Sequence, residues 1–247
     1  MNRQIIIDYF KNTDVDIENI YKSQDIAKSC LEYMNTFLKP GLSYKDIHSE
    51  CERYLLEKGA ERFWTHDDPA LILYSDLTTY SAHESPIELF KSKYILDNDL
   101  ITIDVAPTIQ NGWGDFARTL VMQDAKIIDY KSSNNQEIID GMNFEYELHK
   151  LFINSIDENT TFSKLHKIID DYVISNGYYN CDYHQNYGHT IENNSKDRIT
   201  IAKDVDINIY QYNKPITFEP HICKKDGYYG FKHENMYVIY EGKIYEI

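Results

Sequence analysis

Apolar residues recur at spacings of three and four between Ile20 and Leu38, through Ile26, Cys30, Tyr33/Met34 and Phe37. This periodicity predicts an amphipathic helix, which Pro40-Gly41 stops. Ser43, with Asp46 three residues on, forms the capping box of a second helix. Ile47, Cys51 and Tyr54/Leu55 make its apolar face, and Gly59 suits the position just past its end. From Phe63 to Met122 the pattern shortens to apolar runs separated by turn residues. Residues 70–74, 100–105 and 118–122 read as strands. A second helical pair follows, one helix over about Glu137–Ile153. The other runs from Thr161 through Leu165, Ile168/Ile169 and Tyr172 to Asn176-Gly177. Strand-like runs return at Ile216–Phe218, Met236–Tyr240 and Lys243–Ile247.

The order is thus helix, helix, strands, given twice. No Pro-, Gly- or Ser-rich linker divides the chain, and no low-complexity segment interrupts it. The pattern predicts one α+β domain over residues 1–247, with pseudo-symmetric halves of about 1–125 and 126–247. Two helix pairs are expected to cover a curved antiparallel sheet.

Charge and composition exclude some partners. Asp and Glu number 40 against 25 Lys and Arg, a formal net charge of −15, and no basic patch is visible. Nucleic acid is therefore not expected as a partner. No apolar stretch approaches the roughly 20 residues of a membrane helix, and the N-terminal residues lack the apolar core of a secretory signal. The expectation is a cytoplasmic protein with no membrane partner, either a monomer or a homodimer. The four cysteines are far apart and form no CxxC pair. Cys30 and Cys51 fall on apolar helix faces and read as buried free thiols, and no zinc–thiolate site is expected.

Chemistry enters with the acids. Asp104 ends the run Ile101-Thr102-Ile103-Asp104, and Asp115 follows eleven residues later in Gly114-Asp115-Phe116-Ala117-Arg118-Thr119. Acids inside apolar, strand-like runs are costly unless paired or bound to a cation. A hairpin turning at Asn111-Gly112 puts both on one face but about four residues apart. A turn nearer Ile109-Gln110, or a bulge, brings them together, and the spacing leaves both arrangements open. A second acidic pair, Glu219 and Glu234, adjoins the strand-like runs of the second half, and His189 lies between the pairs in Tyr187-Gly188-His189-Thr190-Ile191. Four carboxylates and one imidazole suit two divalent ions of the Mn, Co, Fe or Zn type.

These motifs, in this order, resemble the pita-bread-fold metallopeptidases: methionine aminopeptidases, Xaa-Pro aminopeptidases, prolidases and non-peptidase relatives such as creatinase. The resemblance runs from about Ile20 to Ile247 and includes Leu38-Lys39-Pro40-Gly41-Leu42-Ser43, Glu57-Lys58-Gly59-Ala60 and Phe218-Glu219-Pro220. It implies a pita-bread fold and a dinuclear centre, with manganese or cobalt among the candidate ions. Asp115 and Glu234 would bridge the ions, Asp104 would chelate one, and His189 with Glu219 would hold the other. It further implies a metal-bridging hydroxide as nucleophile, Glu219 as proton shuttle, and His83, in Ser81-Ala82-His83-Glu84-Ser85-Pro86, as a substrate-contacting donor. Two positions depart from the family. Lys196 stands where peptidases carry a second histidine, and Glu192 where they carry glycine. Lys196 is expected to face the same cavity and to grip or polarise the substrate.

The resemblance implies a metallo-aminopeptidase that removes an N-terminal residue from peptides. The two departures keep open a non-peptidase C–N hydrolase or lyase acting on a small polar metabolite. A binding module derived from a lapsed enzyme is the third reading, and the retention of all five ligand-type residues argues against it.

Overall fold

A computed structural model of the chain describes residues 2–63, 67–81 and 93–247. The first helix pair is α2 (Ile17–Phe37) and α3 (Tyr44–Glu57). Asp16 caps α2 through the backbone N–H of Asn19. The helix therefore starts earlier than the apolar repeat alone suggests. The capping box of α3 is present in both directions between Ser43 and Asp46. The second pair is α4 (Gln136–Ser155) and α5 (Phe162–Ser175), capped by Asn135 and Thr161. An additional helix, α1 (Arg3–Phe10), packs Ile6 and Phe10 inward. Its two turns are too short for the repeat to declare itself.

Among the described residues the strands form two four-stranded and two three-stranded sheets. In the first half, β2 (Leu71–Tyr74), β3 (Asp99–Val105), β6 (Phe116–Gln123) and β7 (Lys126–Ile128) lie side by side. Next to them, β1 (Arg62–Phe63), β4 (Pro107–Ile109) and β5 (Gly112–Trp113) form a small sheet. The second half repeats this with β9 (Gly188–Thr190), β10 (Ile216–Phe218), β13 (Asn235–Tyr240) and β14 (Lys243–Glu246). Its small sheet is β8 (Tyr178–Asn180), β11 (His221–Lys224) and β12 (Gly230–Lys232). Every pairing is antiparallel. The expected α+β arrangement of repeated helix pairs over antiparallel strands is what the chain adopts.

Each helix pair seals its own strands. Cys30, Met34, Ile47, Cys51 and Leu55 pack on Ile72, Ile101 and Ile103 in the first half. Leu148, Phe152, Leu165 and Ile169 pack on Phe218, Ile222 and Phe231 in the second. A third cluster joins the halves, setting Ile6, Phe10, Ile20 and Trp113 against Ile191, Met236, Val238 and Ile247. Cys30 and Cys51 are buried free thiols, as their helix faces require. Cys181 and Cys223 form a disulfide with Cα atoms 6.2 Å apart. Their sequence spacing gave no hint of this pair, because the β8–β11 ladder, not the chain, brings them together.

Candidate metal centre

The two acidic pairs sit where two long hairpins change from one sheet to the next. In the first hairpin Asp104 faces Ala117 across the β3–β6 ladder. The same register continues to Thr108 facing Trp113 and Ile109 facing Gly112. The turn is therefore Gln110-Asn111, between the two positions that the spacing left open. Gln110 takes a left-handed conformation there, with φ of 52°. Asp115 lies two residues from the partner of Asp104. By the two-residue alternation of strands, both carboxylates point to one face as diagonal neighbours.

The second hairpin repeats the device. Phe218 faces Asn235 in one sheet and His221 faces Lys232 in the next, in one continuous register that sets Glu219 opposite Glu234. Pro220 has no N–H to give the ladder, and the sheet breaks there. Alternation then puts Thr217, Glu219, Lys232 and Glu234 on the same face. His189 joins them from β9, where it faces Thr217. Gly188 makes that approach possible. Its φ is 145°, and a Cβ there would lie 2.1 Å from the Thr217 carbonyl oxygen.

The hairpins meet at the bridge between Arg118 and His233. The Glu234 N–H donates to the Ala117 carbonyl (3.1 Å). Thr119 Oγ1 donates to the Lys232 carbonyl (2.9 Å), and the Lys232 N–H donates back to Thr119 Oγ1 (3.0 Å). Arg118 clamps the same junction through the Glu234 carbonyl (2.6 Å) and Asn235 Oδ1 (2.7 Å). From α2, Gln24 accepts from the Asp115 N–H and donates to its carbonyl.

All five sequence-predicted ligand candidates converge. Oxygens of Asp104, Asp115 and Glu234 lie within 4.8 Å of one another. His189 Nε2 is 3.6 Å from Asp115 Oδ2 and 3.3 Å from Glu219 Oε1. Thr217 Oγ1 donates to Glu234 Oε1 at 2.6 Å. Glu234 Oε2 is buried and has no hydrogen-bond partner among the described residues. Into this group reaches a residue that motif reading passed over. Lys232 Nζ is 2.5 Å from Asp104 Oδ2, 2.9 Å from Glu219 Oε2 and 3.7 Å from Glu234 Oε2. The signal was available: Lys232 stands two positions before Glu234 in an alternating strand, so it shares that face.

Burial dominates the electrostatics. It lifts the Asp115 carboxyl well above the usual range, and the charges of Glu234 and Asp104 lift it further. Burial likewise raises Glu234, against the pull of Lys232, and raises Asp104 in the same way. Glu219 goes the other way: burial would raise it, but Lys232 and His189 together hold it below the ordinary value. Burial lowers His189 to about 4, so its imidazole is neutral near pH 7, the form that ligates metal ions.

Two predicted site residues remain. His83 lies outside the described residues. Lys196 is exposed in the short turn Ser195–Asp197, where its backbone N–H donates to Asn194 Oδ1 (3.1 Å). Among the described residues its side chain meets none of the five. The neighbour whose charge reaches His189 and Glu219 is Arg198. Glu192 is buried, accepts from Thr190 Oγ1 (2.8 Å) and pairs with Lys214 (3.6 Å).

This geometry belongs to a class of fold in which paired carboxylates from two similar halves face one buried point. The family model for metallopeptidase family M24 matches residues 18–241, and the chain belongs to that family. The pita-bread fold is shared with solved structures. An X-Pro aminopeptidase from Thermotoga maritima superposes with a TM-score of 0.75 at 18% identity, over 94% of this chain and 60% of that one. The prolidase from Pyrococcus furiosus gives 0.74 at 19% identity, over 98% of this chain and 66% of that one. A methionine aminopeptidase from Thermotoga maritima gives 0.70 at 15% identity, over 95% of this chain and 97% of that one. The chain thus spans about 60% of the X-Pro aminopeptidase and nearly all of the methionine aminopeptidase. No curated protein matches the sequence. No helix among the described residues is long and apolar enough to cross a membrane.

Proposed function

We propose that the chain is a divalent-metal-dependent hydrolase, acting as an aminopeptidase that removes an N-terminal residue from peptides, with the ions held by Asp104, Asp115, His189, Glu219 and Glu234. The observation that carries this reading is the convergence of four carboxylates and a neutral imidazole on one point, with Glu234 Oε2 accepting no hydrogen bond among the described residues. A buried carboxylate oxygen without a hydrogen bond costs about 1–3 kcal/mol, more when charged, and the Lys232 ammonium, 3.7 Å from it, lies beyond hydrogen-bond distance. Oxygen donors with one nitrogen fit Mn, Co, Fe or Zn. Bound ions would supply Lewis acidity toward a carbonyl and a more acidic water.

The chain's own groups divide the remaining work. Glu219, held ionised by Lys232 and His189, is the acceptor for a proton from the attacking water and can return it to the leaving nitrogen. Thr217 fixes the rotamer of Glu234, and Arg118 fixes the strand that carries it. Gln24 fixes the backbone of Asp115. The proposal also takes the two halves as one catalytic domain, because each supplies part of the donor set.

The test is metal analysis of purified protein together with a panel of aminoacyl-naphthylamides and X-Pro dipeptides in Mn²⁺, Co²⁺ or Zn²⁺. Bound metal with peptide cleavage supports the reading, and absence of metal binding refutes it. Metal without cleavage favours the alternative, a C–N hydrolase or lyase on the same scaffold. That alternative has one observation behind it. The position where family peptidases place a second histidine holds Lys196, which is exposed and, among the described residues, forms no ion pair with the five convergent residues.

A further inference from the structure

Lys232 places a cation inside the acidic cluster. Its ammonium group is nearly buried, with 9% side-chain exposure, and touches carboxylates from both halves: Asp104 of the first, Glu219 and Glu234 of the second. Its placement is fixed by the strand. The backbone on both sides of the residue is bonded to Thr119 Oγ1, and β12 pairs with β11 directly opposite at His221. No rotation of the main chain is available to withdraw it. One oxygen of each of two ligand candidates, Asp104 Oδ2 and Glu219 Oε2, is within hydrogen-bond distance of Nζ. A lone pair given to an ammonium proton is not given to a metal, so the two cations compete for the same donors.

We propose that Lys232 is the resident counter-cation of the centre: it holds the carboxylates of the two halves together when no ion is bound, and it must release Asp104 and Glu219 before an ion is fully coordinated. The proposal rests on the metal reading above and adds a control on loading to it. Four clustered carboxylates without a cation repel one another and favour opening of the junction. Lys232 removes that penalty and so weakens the pull of the site on metal. The apo chain therefore stays folded, and ion occupancy follows the free metal concentration over a range set by this competition.

The experiment compares the full-length wild type with Lys232→Met and Lys232→Arg, each stripped by chelator and titrated with Mn²⁺ by calorimetry. Thermal melts are taken with chelator and with saturating Mn²⁺. Lys232→Met should bind its weaker Mn²⁺ about tenfold tighter or more, melt lower than wild type in chelator, and approach wild type when saturated. Lys232→Arg keeps the charge and should follow the wild type. A methionine variant that folds only with Mn²⁺ would support the proposal most strongly. If it folds in neither condition, Lys232→Gln, which keeps a donor without the charge, carries the same expectations. Equal or weaker Mn²⁺ affinity in the neutral variants, or an unchanged apo melting temperature, would overturn the role of Lys232. Absence of Mn²⁺ binding by the wild type would instead overturn the metal reading beneath it.

Discussion

Thr217 offers a sharp test of how the centre is held. Its hydroxyl is buried and donates at 2.6 Å to Glu234 Oε1, whose other oxygen has no hydrogen-bond partner among the described residues. Thr217→Val keeps the shape and β-branching of the side chain and removes that donor. A hydrogen bond to a charged group contributes about 1.5–3 kcal/mol, and the buried partner is left unsatisfied. In a chain of this size 1 kcal/mol corresponds to about 2–4 °C, so the metal-free protein should melt about 3–12 °C lower. The deficit depends on pH. Burial raises the Glu234 carboxyl well above its ordinary value while the Thr217 bond pulls it down. The stability due to a raised carboxyl is complete below the unfolded value, near 4.3, and is lost as pH rises through the folded one. Removing Thr217 raises the folded value further, so the deficit should be small near pH 4.5 and largest at pH 7–8. Urea unfolding in chelator at several pH values measures it, with Thr217→Ser as the control that keeps the hydroxyl. A Thr217→Val protein within about 0.5 kcal/mol of wild type across that range would refute the reasoning, since lost charged hydrogen bonds cost more than that.

Glu145 on α4 is buried with neither carboxyl oxygen hydrogen-bonded among the described residues, and burial raises it well above its usual value. Glu145→Leu should therefore stabilise the chain by about 1–3 kcal/mol at pH 7–8 and by less near pH 5, read from denaturant midpoints at both. Gly188→Ala forces a Cβ against the Thr217 carbonyl at a left-handed φ. A loss of about 3 kcal/mol or more is expected, together with weaker metal binding, and a near-neutral result would place β9 differently. Asp104→Asn should lower metal content and hydrolysis together while leaving the circular-dichroism spectrum unchanged, because the amide can still accept from Lys232.

The helix pairs were legible because Ile26, Cys30, Met34 and their counterparts in α4 and α5 repeat at helical spacing over several turns. The candidate centre was legible because acids ending apolar runs are rare without cause, and their order matched a known family pattern. The short strands β1, β5, β8 and β12 carry too few residues for an alternation to show. The Asp104–Asp115 offset depended on a two-residue turn at Gln110-Asn111 that no Asn-Gly rule selects. Lys232 was overlooked because motif reading looks for donors to a metal, and a cation among them runs against that search. The Cys181–Cys223 pair is a product of strand pairing across β8 and β11, invisible along the chain.

The division of the acids between two hairpins has a consequence for cutting the chain. The link at residues 129–135 joins the halves through mostly exposed positions. Severed there, the N-terminal piece keeps Asp104 and Asp115, and the C-terminal piece keeps His189, Glu219, Lys232 and Glu234. Neither fragment has the whole proposed donor set, and each leaves half of the Trp113–Met236 core open to water. Reassembly of the fragments would then report on ion concentration, with the metal acting as a reversible staple between two polypeptides.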